Sequence, residues 1–383
     1  MTVAPVRSRG TPLTAWLRPL ADLYLPVTML RGCARETGEA ASVVVAGALP
    51  RVGWIVEHFF AAPPAREPLG HVPAWRLART MRRHGASADL AIARVARTSA
   101  RALGFDDDWL PVPDWVGTRL VAPFDLEAIA RRNHSLADDF RKLRRSSWSA
   151  EISRQAGDLA AFHRDYYLPL LLQRHREDAM VKSARRMRRP FRRGGILWIV
   201  RGEERIAGML FDLRHRVVDA VALGVRQGDQ ALVREGAIAA CYAQLVEHAR
   251  AKGCLAVDLR GSRPSPLDGV TRFKRKWGAE LYDRIDVVAT TLVHWNRLTP
   301  AVSSLLQRLP LIFRDDGGLS VVGVAGTPTD LGLMRMPGLG RTILATSVGR
   351  PAHPSAGGDA ATTPPDDGAS PRALLAAARS GSI

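Results

Sequence analysis

One segment restricts the folds open to this chain more than any other: residues 251–282, AKGCLAVDLRGSRPSPLDGVTRFKRKWGAELY. It finishes a helix, turns, and enters a buried strand over 254–259, a near-continuous apolar run with one acid, Asp258, and with Arg260 at its carboxyl end. A Gly/Ser/Pro loop follows at 261–266, then a short cationic helix closed by Gly278. In α/β sheets a ligand sits in the crevice beyond the carboxyl ends of the strands. Asp268 is a cap for the helix past that crevice, whose first turn presents N–H groups and a partial positive charge. Arg272, Lys274, Arg275 and Lys276 load the same helix with cations, so the segment reads as built to meet an anion.

The elements before it fall into a regular order. A strand is expected over 148–154 and a helix over 158–175, where Leu159, Phe162, Tyr166, Leu170 and Leu171 recur at helical spacing and Pro169 should kink the axis. A second helix spans 178–189, and 196–201 with 205–213 forms a hairpin. Residues 217–225 are the next strand, and 233–252 a helix with one apolar stripe running from Val233 through Ile238 and Tyr242 to Ala249. The focal strand and helix come next, and a long strand over 280–293 ends the series.

Upstream, strands over 42–49, 52–60, 88–95 and 117–121 alternate with helices over 73–85 and 99–103, which argues for α/β layers. The segment DDDWLPVPDW at 106–115 reads as a solvated surface turn. A helix or helix pair over 126–147 carries a basic face, and 300–308 is a short helix before a strand pair at 311–314 and 319–324. Beyond 326 the composition turns to Gly, Ala, Pro, Ser and Thr, too poor in large apolar residues to order itself.

The run DGVTRFKRKWGAEL, through Gly269, Phe273, Lys274, Trp277 and Gly278, resembles the signature that ends the second acyltransferase-fold domain of Fem-type transferases. It is equally similar to relatives in the N-acetyltransferase (GNAT) superfamily found in bacterial cellulose and exopolysaccharide operons. The order β-α-α-β-β-β-α-β-α-β resembles that of a GNAT domain, and it is reached from the pattern independently of the motif. The resemblance implies an α/β protein of tandem GNAT-like domains, the second well formed and the first degenerate. The expected boundaries are a disordered N-terminus at 1–11, domains at 12–125 and 126–325, and a disordered tail at 326–383. No residue-level internal repeat is visible.

Composition narrows the partners. A net charge of +18 calls for phosphates, a nucleic acid or an acidic membrane face, although arginine-rich coding bias produces the same excess. Only five lysines occur, and two of them, Lys274 and Lys276, share one turn of the focal helix. The nine Arg and Lys residues between Arg174 and Arg193 could meet the phosphates of a donor, a lipid-linked acceptor or a membrane surface. There is no run of about 18 uncharged apolar residues and no secretory signal, so a cytoplasmic protein is expected, at most peripheral at the inner face of the membrane. The three cysteines have no metal-ligand spacing, and no metal is expected. Neither a GxxxxGK[ST] phosphate loop nor a GxSxG elbow is present, which removes nucleotide hydrolysis and the serine-hydrolase triad.

The resemblance implies that two central strands, here 217–225 and 254–259, splay apart to admit an acyl donor. Acyl transfer to an amine then needs positioning, a base and donors for the oxyanion. Asp219 and Asp258 are the candidate bases, each with the alternative of a structural strand acid. Lys274 is carried over from the Fem-type motif, where the matching lysine steadies charge at the reacting centre. The donor is expected against Val225, Arg226, Gly228 and Arg260, and the acceptor against Tyr167, Arg174, His175 and Asp268. The usual Gln/Arg-x-x-Gly-x-Gly/Ala pyrophosphate loop is altered here to RQGDQALVREGA, which weakens the case for coenzyme A. The expected function is transfer from acyl-CoA to an amine or hydroxyl of a small-molecule or lipid-linked glycan or envelope precursor. Aminoacyl-tRNA as donor, and a non-catalytic module binding anionic polymer, are the alternatives; DNA is not an expected partner.

Overall fold

A computed structural model describes residues 24–175, 181–324, 332, 334–345 and 370–373. The expected disordered N-terminus, 1–11, lies outside them. The chain divides into two compact units, one made of residues up to Val116, Ser262–Thr271 and everything from Tyr282, the other of Gly117–Gly261 and Arg272–Leu281.

The first unit opens with strands β1 (Tyr24–Cys33) and β2 (Ala40–Ala46), an antiparallel pair. Helix α1 (Leu49–Phe59), strand β3 (Ala65–Pro73), helix α2 (Leu77–Gly85) and strands β4 (Leu90–Ala96) and β5 (Leu110–Pro113) follow. The strand expected over 52–60 is thus a helix. Val52, Ile55, Val56 and Phe59 are buried at three- and four-residue spacing, and Pro50 sits in its first turn, where a missing N–H costs nothing. The 99–103 helix is only turns, and the supposed surface segment 106–115 contributes β5 and the buried Trp109.

The second unit begins with β6 (Val116–Val121), helices α3 (Leu126–Arg131) and α4 (His134–Arg145), and β7 (Trp148–Ser153). Next come α5 (Ala156–Ala161), a π-helical turn (Phe162–Tyr167), α6 (Leu168–His175) and α7 (Ala184–Arg193). The first part of the helix expected at 178–189 lies outside the described residues. The disturbance expected at Pro169 comes earlier, as the π turn, and Pro169 falls in the first turn of α6. Strands β8 (Gly195–Arg201), β9 (Glu204–Arg214) and β10 (Val217–Val225) form an antiparallel meander. Helices α8 (Gln230–Glu235) and α9 (Ala237–Ala251) replace one expected helix, divided at Gly236 with φ +108°. Strand β11 (Ala256–Ser262), helix α10 (Gly269–Lys276) and the short β12 (Glu280–Tyr282) complete it.

The seven strands lie in the order β12-β6-β11-β10-β9-β8-β7. α9 covers one face over a core that includes Phe211, Val218, Ile238 and Trp277. The π turn and α7 cover the other over Phe162, Trp198, Leu210 and Val221.

The chain then returns to the first unit. Strand β13 (Ala289–His294) inserts between β4 and β5, antiparallel to both, giving the order β3-β1-β2-β4-β13-β5. The single long strand expected over 280–293 is therefore two strands in two sheets. Helix α11 (Pro300–Arg308) leads to β14 (Leu311–Asp315), β15 (Gly318–Val324) and β16 (Leu339–Ala345), a separate three-stranded sheet. β16 pairs parallel to β15 and lies in the tail expected to be disordered: Ile343 and Ala345 are buried, enough apolar contact to hold one more strand.

The two units share a plan that no residue-level repeat betrays. Each has an antiparallel pair (β1/β2, β9/β10), a parallel crossover from its second strand (β2/β4, β10/β11), and a further strand from a remote part of the chain beyond the crossover (β13, β6). That arrangement is the tandem α/β layout expected from the resemblance. The first copy is irregular, because its outer strand β3 comes from within the crossover.

Candidate active site at the fork between β10 and β11

The parallel pairing of β10 with β11 covers three residues only, Val217–Asp219 against Ala256–Asp258, although each strand runs on. Two local features open the fork. On β10 the register against β9 slips between Ala220 and Ala222, a bulge that bends the strand and raises its twist. The carbonyl of Val221, in that bulge, accepts a 2.7 Å bond from Lys182 Nζ. On β11, Arg260 sits at φ +66°, in the left-handed region, and redirects the strand. Its carbonyl accepts from Thr118 Oγ1 on β6 at 2.8 Å and from Lys274 Nζ at 3.2 Å, and Lys274 also reaches the Gly261 carbonyl at 2.9 Å.

Lys274 is 3% exposed, so its ammonium holds the end of β11. Lys276 pairs with Asp139 at 2.5 Å. The Asp268 carboxylate accepts from the N–H groups of Val270 and Thr271 at 3.0 Å each, filling the cap of α10. The Asp268 cap expected for this helix is thus present, and Lys274 and Lys276 are engaged on protein groups. Trp277 is fully buried and stacks on Tyr242.

A row of acids crosses the fork. Asp219 lies opposite Asp212 on β9 and opposite Asp258 on β11, and residues directly opposite one another share a sheet face. Arg193 grips Asp212 with two bonds, 2.7 and 2.5 Å, and Arg214 adds a third contact at 3.0 Å. Asp258 accepts from the Arg260 N–H at 2.7 Å. Asp219 is ion-paired with the Arg260 side chain. Burial pushes the Asp219 carboxyl up to about 7, with the carboxylates of Asp258 and Asp212 adding to the rise and the Arg260 guanidinium opposing it. At neutral pH that group is poised to take or give a proton.

The π turn packs on the far part of β10. A Cβ at Gly224 would lie 2.7 Å from the Tyr166 carbonyl carbon and 2.8 Å from the Tyr167 nitrogen, so only glycine permits this approach. Tyr167 is 5% exposed, and its hydroxyl accepts the Lys182 N–H at 3.1 Å. Burial raises its phenol above the ordinary value. His163 Nε2 lies 2.9 Å from the Lys182 carbonyl. Lys182 is thus tied to the bulge and to the π turn, a role that sequence reading missed; its scarcity among arginines was the available signal. Arg174 lies exposed at the end of α6, and His175 is that helix's last residue.

The expected donor turn is built differently from a phosphate cradle. Val225 is fully buried, Arg226 pairs with Glu204 at 2.8 Å, and Gly228, at φ +69°, packs against Pro169. Asp229 caps α8 through the Ala231 N–H at 2.7 Å, so a carboxylate occupies the first turn of that helix. Among the described residues no group of three His, Cys, Asp or Glu side chains could hold a metal ion. A cavity of about 520 Å³, lined in part by Phe124, Glu127, Arg250 and Cys254, contains none of the expected site residues.

No family model matches the sequence, and no curated protein matches it. Among solved structures, L-PGS from Bacillus licheniformis is similar over 72% of this chain and 87% of its own, at 12% identity and a TM-score of 0.36. FemX overlaps 73% of this chain and 90% of its own, at 10% identity and a TM-score of 0.36. A GCN5-related N-acetyltransferase from Sphaerobacter thermophilus overlaps 67% and 77%, at 15% identity and a TM-score of 0.30. Likenesses this loose carry no chemistry across.

Proposed function

We propose that this chain is an acyltransferase that holds its acyl donor in the fork between β10 and β11. The observation that carries the reading is the parting of these strands just after a partly buried carboxyl, Asp219, poised near neutrality. β10 beyond Asp219 has no pairing with β11, so edge backbone groups there can hydrogen-bond a donor laid along it. In the proposed step the acceptor nitrogen or oxygen attacks the acyl carbonyl carbon. The new bond to carbon forms as the bond to the donor's sulfur or oxygen breaks. The proton shed by the acceptor passes to Asp219, and the leaving group takes one from solvent. Arg260, beside Asp219, steadies the carboxylate, and Lys274 and Thr118 hold the fork open through the carbonyls they bind.

The acceptor we infer is an amine or hydroxyl of a glycan or envelope precursor, with acyl-CoA as donor. An aminoacyl-tRNA is the second donor reading, and one observation favours it: Asp229 faces the helix amides that would cradle the pyrophosphate of coenzyme A. Native mass spectrometry with a panel of acyl-CoAs and with charged and uncharged tRNA tests both. A selective acyl-CoA adduct supports the first, and preference for charged tRNA the second. Binding of neither, in a protein that melts cooperatively, overturns the transferase reading. Asp219→Asn is expected to keep the donor and lose turnover by about 100-fold or more.

A further inference from the structure

Helix α7 is the most cationic element of the second unit, ARRMRRPFRR. Its inner face buries Met187 and Phe191, and Arg193 turns back to Asp212. At 100° per residue, Arg185, Arg188, Arg189 and Arg192 fall within one arc about 100° wide and about 10 Å long. Those four, with Arg186 beside them, are exposed, and none of the five side chains makes a hydrogen bond or ion pair among the described residues. Arg193, Arg201, Arg205, Arg214, Arg226 and Arg260 of the same unit face carboxylates, whereas this helix gathers five unpaired arginines on one short surface. Unneutralised charge concentrated on one narrow stripe raises the free energy of the isolated protein surface and is relieved by a dense array of negative charge.

We propose that the α7 stripe docks the protein on an anionic phospholipid surface. A flat array of lipid phosphates suits a short row of cations standing off a buried apolar face. Val181, just ahead of the helix, is 45% exposed, and Leu172, on α6, is 49% exposed; such aliphatic side chains can enter the headgroup layer. Surfaces that hold single-stranded nucleic acid alternate cations with exposed aromatic rings. Among the described residues of α6 and of the segment before α7, the exposed large apolar side chains, Leu172 and Val181, are aliphatic. No helix among the described residues is long and apolar enough to cross a membrane, so contact here is peripheral. The inference stands apart from the acyl-transfer reading: either can fail while the other holds.

The test is co-sedimentation of the full chain with phosphatidylcholine vesicles, with and without phosphatidylglycerol, at low and high salt. Binding is expected only with phosphatidylglycerol and should fade with salt. Each arginine neutralised on the stripe should weaken it about fivefold, so Arg188→Gln with Arg192→Gln loses about 25-fold. Arg144→Gln with Arg145→Gln removes the same charge from exposed, unpaired positions on α4 and should lose less than about twofold. Equal losses in the two double variants mean that binding follows net charge alone, and the proposal falls. It falls equally if the stripe variant binds as the parent does, or if tRNA displaces the protein from vesicles through the same four arginines. Because these side chains are exposed, the variants should melt as the parent does, and a thermal scan verifies this.

Discussion

Asp219 is nearly enclosed by protein, yet it has a basic partner, Arg260, on one side and two carboxylates opposite it on the flanking strands. Its carboxyl lies at about 7 in the folded chain against an ordinary value of 3.8. Between those values the folded protein binds a proton that the unfolded chain has released, so this group's contribution to stability falls as pH rises. Asp219→Asn has no such proton to lose. Relative to that variant, the parent should therefore lose stability by up to about 1.4 kcal/mol per pH unit between about pH 4 and pH 7. Parallel thermal melts across that range measure it. If transfer runs through this base, kcat/KM climbs with pH and levels off above about pH 7, whereas a purely structural Asp219 leaves the profile flat.

At the scale of elements, Gly224 is where the π turn and β10 come closest, and it sets how the helical layer lies over the fork. Gly224→Ala should cost about 1–3 kcal/mol, because the clashing atoms belong to the backbone and cannot swing aside. Gly157→Ala in α5 meets nothing within 4 Å and should be neutral or stabilising by up to about 1 kcal/mol. Urea denaturation separates the two. Both glycines look alike in the sequence, and so do the two lysines of α10, one buried on carbonyls and the other paired with Asp139. Elements with a clean period were legible: β10 matches its expected bounds, and the β8/β9 hairpin lies within two residues of them. What stayed hidden depends on partners distant in sequence: the bulge at Val221, the acid row built from three strands, and Lys182 reaching across to β10. Residues 49–59 failed for another reason. Val, Ile and Phe serve strand and helix equally, and only the three- and four-residue spacing of the buried side chains separates the two.

At the scale of the molecule, the expected boundary after residue 125 gives way to an interleaved one. β6 joins the second unit's sheet, and residues from Tyr282 return to the first. A chain ending after Asp283 keeps all seven strands of the second unit but lacks β13, leaving β5 unpaired and β4 with an open edge. Limited proteolysis of that truncated chain should digest 24–116 quickly and spare 117–281, while the full chain resists over both. Equal resistance of the two would show that the first sheet closes without β13. The order of β4, β13 and β5 also has a meaning in time. During synthesis the ribosome releases the whole second unit before it makes the strand that completes the first. The part of the protein translated earliest is therefore the last to mature, and its apolar edges wait as nascent chain until residue 294 has cleared the exit tunnel.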